Sequence, residues 1–245
     1  MLVIRTLICW LVAFVSPFFL FLRALVFSIL SPQKTLEFYL QSGAKTWAKL
    51  LLRITGITVI VEKKPCDREL RDKSPMIVVS NHNSVIDILV LLYVLPFPCV
   101  FFSKRSIFLV PGYGWYMWWA GHISVNRKSP RNALESLKSA SVKLKNNTSV
   151  IIFPEGSRSE NGILQPFKSG FSRIAGMCNA PVLPVSIKGT EQIIRKGSIM
   201  LHPERVIVNI GKPYPNGTSL YSDNSTRSKL VTSIHDEIDS MMKAS

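Results

Sequence analysis

Short apolar, β-branched runs punctuate the chain at residues 57–61, 76–80, 99–102, 123–125, 150–153, 182–187 and 206–210. Runs of this length bounded by turn residues predict buried strands. Stretches with helical spacing fall between several of them, notably 84–93, 130–145 and 169–178, and an amphipathic stretch at 226–242 closes the chain. This alternation predicts an α/β fold with a mixed, largely parallel sheet flanked by helices.

The chain before residue 55 reads differently. Residues 1–30 are almost wholly apolar, and the longest uncharged run, 6–22, lies between Arg5 and Arg23. A membrane-crossing helix needs about 20 apolar residues. Pro17 interrupts this run, so a re-entrant or interfacial helix competes with a true crossing. The apolar run continues past Arg23 as ALVFSIL without a small-x-small site, so cleavage as a signal peptide is not expected. Residues 34–53 then predict an amphipathic helix. Its apolar face carries Leu40, Ala44, Trp47, Ala48, Leu51 and Ile54, while Lys45, Lys49 and Arg53 stack four apart. The pattern alone fits a helix on the membrane surface and a helix packed on the core equally well; proximity to the apolar segment favours the membrane. The expected organisation is an N-terminal helical membrane anchor over 1–54 and one catalytic domain over 55–245.

Charge narrows the partners. With 30 Lys and Arg against 15 Asp and Glu among 245 residues, the formal charge is +15. Such a chain is drawn to nucleic acid, anionic lipid or phosphorylated substrates. An apolar N-terminus and the lack of a basic recognition helix or RNA-binding strand motif speak against nucleic acid. The four cysteines show neither CxxC spacing nor a disulfide framework, and no metal site is expected.

Two constellations carry chemistry. Asn81-His82-Asn83-Ser84-Val85-Ile86-Asp87 follows the apolar run PMIVVS. On one continuous helix His82 and Asp87 would diverge by roughly 140° about the axis. His82 must therefore precede the helix, with Asn83 or Ser84 as its N-cap, so that Asp87 can swing back beneath the imidazole. The pair then reads as a general base and its orienter, although the spacing taken alone favours a buried structural hydrogen bond. The second constellation, Phe153-Pro154-Glu155-Gly156-Ser157-Arg158, follows the apolar run SVIIF. It suits a phosphate-bearing polyol, with Arg158 gripping phosphate and Glu155 accepting from a hydroxyl; the plain alternative is a surface turn with an Arg–Glu ion pair. Trp115, Tyr116, Met117, Trp118 and Trp119 fit either a packed core helix or an aromatic patch at a membrane interface.

Together NHNSVID and FPEGSR resemble the motifs of the glycerolipid acyltransferase family, specifically the 1-acylglycerol-3-phosphate acyltransferases. The stretch from Lys104 to Arg127 is similar to the family's second motif at Lys104, Pro111, Gly114, Gly121 and Arg127, and APVLPV at 180–185 is similar to its fourth. Ser157 stands where many members have threonine, which keeps the hydroxyl. The resemblance implies the glycerolipid acyltransferase fold, and transfer of a fatty acyl group from acyl-CoA or acyl carrier protein to the sn-2 hydroxyl of lysophosphatidic acid. In that reading His82 is the base, Asp87 orients it, and Glu155, Gly156, Ser157, Arg158, Arg127 and Lys104 bind the phosphorylated acceptor. No cofactor is implied. The expected setting is the cytoplasmic face of an anionic membrane (the inner membrane in a bacterium), with monotopic insertion. Other acceptors, such as another lysophospholipid or a lyso-ornithine-type lipid, fit the same motifs. A non-catalytic basic membrane-binding protein would leave His82, Asp87, Glu155 and Arg158 unexplained. No GxSxG elbow, three-glycine dinucleotide fingerprint or GxxxxGK[ST] loop is present.

Overall fold

The computed structural model describes residues 2–30, 36–73, 75–125, 130–159, 161–194, 198–215 and 223–245. In chain order the elements are α1 (Leu2–Leu30), α2 (Leu36–Thr55), β1 (Thr58–Lys63), α3 (Asp67–Asp72), β2 (Ile77–Ser80), α4 (Ile86–Val94), β3 (Cys99–Lys104), α5 (Arg105–Phe108) and α6 (Tyr113–Trp119). They continue with β4 (Ile123–Val125), α7 (Pro130–Lys145), β5 (Ser149–Ile152), α8 (Gly170–Cys178), β6 (Val182–Lys188), α9 (Thr190–Ile193), β7 (Arg205–Ile210) and α10 (Asn224–Ala244).

One seven-stranded sheet in the order β1-β7-β6-β2-β5-β3-β4 holds the domain together. Strands β6, β2, β5, β3 and β4 run parallel, while β7 pairs antiparallel with β6 and carries β1 parallel to itself. The predicted mixed, largely parallel sheet is therefore present. Alternate residues of each strand enter opposite layers. Val78, Ile151 and Leu183 point to one apolar cluster with α2 and α4. Ile77, Val79, Val150 and Val182 point to another with α7, α8 and α10. Burial on both faces is why these strands read as unbroken apolar runs. The last helix starts earlier than its apolar spacing indicates because the Asp223 carboxylate caps it, accepting from the Thr226 amide at 2.7 Å.

Two expectations about the N-terminus change. Pro17 does not interrupt α1, which stays helical across it. The helix is braced along its length by α2: Arg5 Nε donates to the Ile54 carbonyl at 2.7 Å, Trp47 Nε1 donates to Ser16 Oγ at 2.9 Å, and Gly43 faces Leu20. Residues 5, 16 and 20 thus meet 54, 47 and 43, an antiparallel helical hairpin. The apolar face of α2 is accordingly occupied by protein: Ala44, Trp47, Ala48 and Leu51 are buried in the cluster with α1 and α4. Lys45 is exposed, but its ammonium turns toward α4. Its Nζ donates to the Leu95 carbonyl at the end of α4 at 3.0 Å, and burial holds its pKa below the ordinary lysine value, aided by Lys64. Lys49 and Arg53 remain exposed. By length and composition α1 is apolar enough to cross a membrane.

At the carboxyl edge of the parallel strands, buried Asn81 extends the β2–β6 pairing with its side chain. Its Nδ2 donates to the Ile187 carbonyl at 2.7 Å, and its Oδ1 accepts from the Ile187 amide at 2.8 Å. Asn81→Ala should orphan both buried groups and lower unfolding free energy by about 1–3 kcal/mol. A urea midpoint in detergent micelles unchanged from the wild type would show that water replaces the amide without cost.

Candidate active site

Among the described residues, four strands deliver residues to one edge of the sheet, where open α/β folds place ligands. His82 follows β2, the Phe153–Arg158 segment follows β5, Lys104 ends β3, and Gly189, Thr190 and Glu191 follow β6. Arg127, which follows β4 in sequence, lies outside the described residues, as does Asn126.

His82 and Asp87 meet: Nδ1 lies 2.8 Å from Asp87 Oδ2. The regular helix begins at Ile86, and Ser84, one of the two expected caps, accepts from the Ile86 amide through its Oγ at 3.4 Å. The Asp87 carboxylate reciprocates, Oδ2 accepting from the amides of Asn83 at 2.7 Å and Ser84 at 2.8 Å. These bonds curl residues 82–84 around the carboxylate, so the pair forms without a continuous helix between its members. Asp87 is 0% exposed, and Oδ1 accepts from Thr190 Oγ1 at 2.5 Å.

This donor count fixes the histidine tautomer. With amide N–H groups and a hydroxyl already directed at it, the buried carboxylate acts as acceptor, so Nδ1 carries the proton it shares with Oδ2 and Nε2 keeps its lone pair. The side chain is 16% exposed, so this nitrogen belongs to a ring within reach of a ligand. The ring lies on Phe153, centroids 4.1 Å apart and planes 19° from parallel. Such a pair can take a proton from a hydroxyl and stabilise the resulting imidazolium.

Glu155 sits differently from a ligand-facing carboxylate. It is buried, its Oε1 accepts from the His82 amide at 2.7 Å, and its Oε2 accepts from the Gln165 amide at 3.1 Å. Burial raises its pKa, opposed by those two amides. The Ser159 amide donates to the His82 carbonyl at 2.7 Å, so both peptide groups of His82 are pinned by the segment after β5. Gly156 adopts φ +78°, and a β-carbon there would press on the Lys168 ammonium. Ser157 and Arg158 are exposed, and among the described residues no Arg158–Glu155 ion pair forms. Together with Ser159, Asn161, Ile163 and Gln165 they line a cavity of about 290 Å³. A larger depression, about 500 Å³, lies at the opposite strand edge beside Pro75, Leu144, Pro181 and Tyr214, away from the dyad. Among the described residues no three His, Cys, Asp or Glu side chains are disposed to hold a metal ion.

The aromatic cluster divides between its two readings. Tyr116 and Met117 are buried, whereas Trp115, Trp118 and Trp119 are exposed. His122 is structural: its Nδ1 accepts from the Phe101 amide at 3.3 Å, and burial lowers its pKa to about 3. Sequence reasoning missed Asn81, Thr190 and Glu191 as supports. The last two follow a buried strand at the same edge as His82, and that shared address is the signal that could have marked them.

Comparison with known proteins agrees with this geometry. Residues 60–188, just over half of the chain, match the family profile described as Acyltransferase. A chloroplastic 1-acyl-sn-glycerol-3-phosphate acyltransferase of Brassica napus is 39% identical over 166 residues, covering 66% of this chain and 47% of that protein. The 1-acyl-sn-glycerol-3-phosphate acyltransferase of Cocos nucifera is 37% identical over 138 residues, 56% of this chain and 45% of that protein. The chain spans about half the length of these curated relatives. The crystal structure of the 1-acyl-sn-glycerophosphate (LPA) acyltransferase PlsC of Thermotoga maritima matches with a TM-score of 0.83 at 26% identity, covering 99% of this chain and 95% of that one. Since the profile runs from β1 to the end of β6 and takes in both the His82–Asp87 turn and the Phe153–Arg158 segment, the chain belongs to the acyltransferase family.

Proposed function

We propose that the protein transfers a fatty acyl group from a thioester, acyl-CoA or acyl carrier protein, to the sn-2 hydroxyl of 1-acyl-sn-glycerol 3-phosphate, forming phosphatidic acid. The observation that carries this reading is the His82 imidazole held by a buried carboxylate at 2.8 Å with Nε2 left to act. The names of the matched relatives supply the acceptor.

The acceptor hydroxyl gives its proton to Nε2 as its oxygen bonds to the thioester carbonyl carbon. The tetrahedral intermediate collapses, the C–S bond breaks, and the departing thiolate takes the proton from the imidazolium. Asp87 stays ionised throughout and holds the ring. The thioester provides the driving force, so the reaction calls for neither a cofactor nor a metal. Arg158, exposed beside the cavity, takes the acceptor phosphate through a forked pair of hydrogen bonds, with Lys104 and Arg127 adding positive charge. Gly156 and Ser157 shape that turn. Glu155 contributes through the His82 backbone rather than by touching the acceptor.

The same reading places the protein in one leaflet of an anionic membrane, on its cytoplasmic face. The outer side of α1 exposes Val3, Leu7, Leu11, Phe14 and Phe19. The tryptophans of α6 continue this surface: Phe18 meets Trp115 at 6.4 Å and Phe21 meets Trp119 at 5.4 Å between centroids. Trp118 is 69% exposed and Leu109 74%. Bonds from Arg5 and from Trp10, whose Nε1 donates to the Ile199 carbonyl at 2.9 Å, keep the other side of α1 on the domain, which favours a helix lying in the leaflet over one crossing it.

His82→Ala should leave the protein folded and membrane-bound while lowering turnover by roughly 10²–10⁴-fold. Asp87→Asn should be impaired too. Near-normal acyl transfer by His82→Ala at matched protein levels would reduce the pair to a structural hydrogen bond. Acceptor profiling with the purified protein decides between lysophosphatidic acid and other lysolipids.

Arg158→Ala should raise the apparent KM for the phosphorylated acceptor and leave that for the acyl donor near its wild-type value. The opposite pattern in steady-state kinetics would move Arg158 to the donor.

For the membrane surface, high salt should fail to extract the protein and detergent should succeed, because apolar insertion is not screened. Brominated lipids should quench tryptophan fluorescence, and replacing Trp118 and Trp119 by serine should remove much of that quenching. Release by salt alone would overturn the inserted placement.

A further inference from the structure

The proposed reaction uses His82 and Asp87, yet Asp87 has an outer oxygen that faces away from the imidazole. That oxygen is held from the far side of the site. Thr190, fully buried at the start of α9, directs its hydroxyl at Asp87 Oδ1 across 103 residues of sequence. The turn bringing it there is built for the purpose. Gly189 adopts φ +98°, and a β-carbon at that position would collide with the Arg205 carbonyl oxygen in β7, so glycine alone lets the chain leave β6 and pass this close. The neighbouring Glu191 locks the same turn onto the histidine loop: its Oε2 accepts from the Gly189 amide at 3.1 Å and from Asn83 Nδ2 at 3.2 Å.

We infer that Thr190 is a positioning residue for acyl transfer, acting through Asp87 to set both the rotation of the carboxylate and its strength as an acceptor toward His82. The inference rests on the acyl-transfer reading for its kinetic arm only. A carboxylate whose two oxygens are both held cannot rotate about its bond to Cβ, so Oδ2 stays aligned with Nδ1. The hydroxyl also draws electron density toward Oδ1. Removing it leaves more negative charge for the His82 N–H, which favours the imidazolium. Without the Thr190 hydroxyl the imidazolium is better stabilised, so the acid limb of kcat/KM, which requires neutral His82, should move to higher pH. Among the described residues, the other ionisable groups tied to this loop are Glu155, bonded to the His82 amide, Glu191 through Asn83, and Lys168 above Gly156. None of them changes in the variants below.

Thr190→Val removes the hydroxyl at nearly constant volume, and Thr190→Ser keeps it. The test uses the full chain in detergent micelles and two readouts. One is the titration of the His82 ring followed by NMR, its signal among the four histidines assigned by its loss in His82→Ala. The other is the pH profile of acyl transfer from acyl-CoA to lysophosphatidic acid. Thr190→Val should move the His82 titration to higher pH and, by loss of a hydrogen bond to a charged group, lower kcat roughly 10- to 100-fold with both KM values little changed. Thr190→Ser should restore the titration and most of kcat. The inference is overturned if Thr190→Val titrates and turns over like the wild type. It is equally overturned if activity falls only in step with the folded fraction while the His82 titration is unmoved, or if serine fails to rescue. An inactive wild type with lysophosphatidic acid would count against the acyl-transfer reading, and the NMR titration would still decide the Thr190–Asp87–His82 coupling.

Discussion

A single buried carboxylate organises the candidate site. Asp87 is enclosed by protein, and an unpaired charge at such a position would cost several kcal/mol. Here the charge is matched by the His82 ring, the amides of Asn83 and Ser84, and the Thr190 hydroxyl. Satisfying the carboxylate is therefore the same act as curling the histidine loop and docking the end of β6. Loop shape, imidazole tautomer and attachment of the β6–α9 turn all follow from neutralising one group in a medium where it cannot find water.

Glu155 repeats this logic one strand over. Its two oxygens hold the His82 amide and the Gln165 amide, so the segment after β5 grips the backbone of His82 while the segment after β6 grips its partner carboxylate. The histidine thus stands between two elements carried by neighbours of β2 in the sheet. The aromatic face of Phe153 lies against the ring and covers it on one side.

Much of this was legible in the sequence, and the illegible part has a common cause. The central strands showed themselves because burial on both faces leaves unbroken apolar runs, whereas the edge strand β1, expected to be buried, is apolar yet largely exposed; the His82–Asp87 meeting followed from helix geometry and a spacing of five. Local patterns say nothing about which strands run against the others, so the reversed pair β7 and β1 was not foreseen. The partner of the apolar face of α2 was equally hidden. A stripe of Ala44, Trp47, Ala48 and Leu51 looks the same whether lipid or α1 covers it. Ser84 as a cap was legible from its residue type and place, whereas the reciprocal bonds from the Asn83 and Ser84 amides to the Asp87 carboxylate were not. Glu155 read as ligand-facing since nothing in FPEGSR discloses that its acceptors are already filled from residues 82 and 165.

The supports of the dyad come from far along the chain: 73 residues separate His82 from Glu155, 103 separate Asp87 from Thr190, and 106 separate Asn81 from Ile187. Closing loops of that size is slow, because the entropy of long-range closure is lost before the contacts return it. The His82–Asp87 pairing itself spans only five residues and can flicker into place early, but its orientation is final only when β5 and β6 have both docked beside β2. During synthesis, then, a chain that has not yet released residue 191 from the ribosome holds His82 and Asp87 without the frame that aligns them. The competence of the site is in this sense a late checkpoint on the completeness of the central sheet.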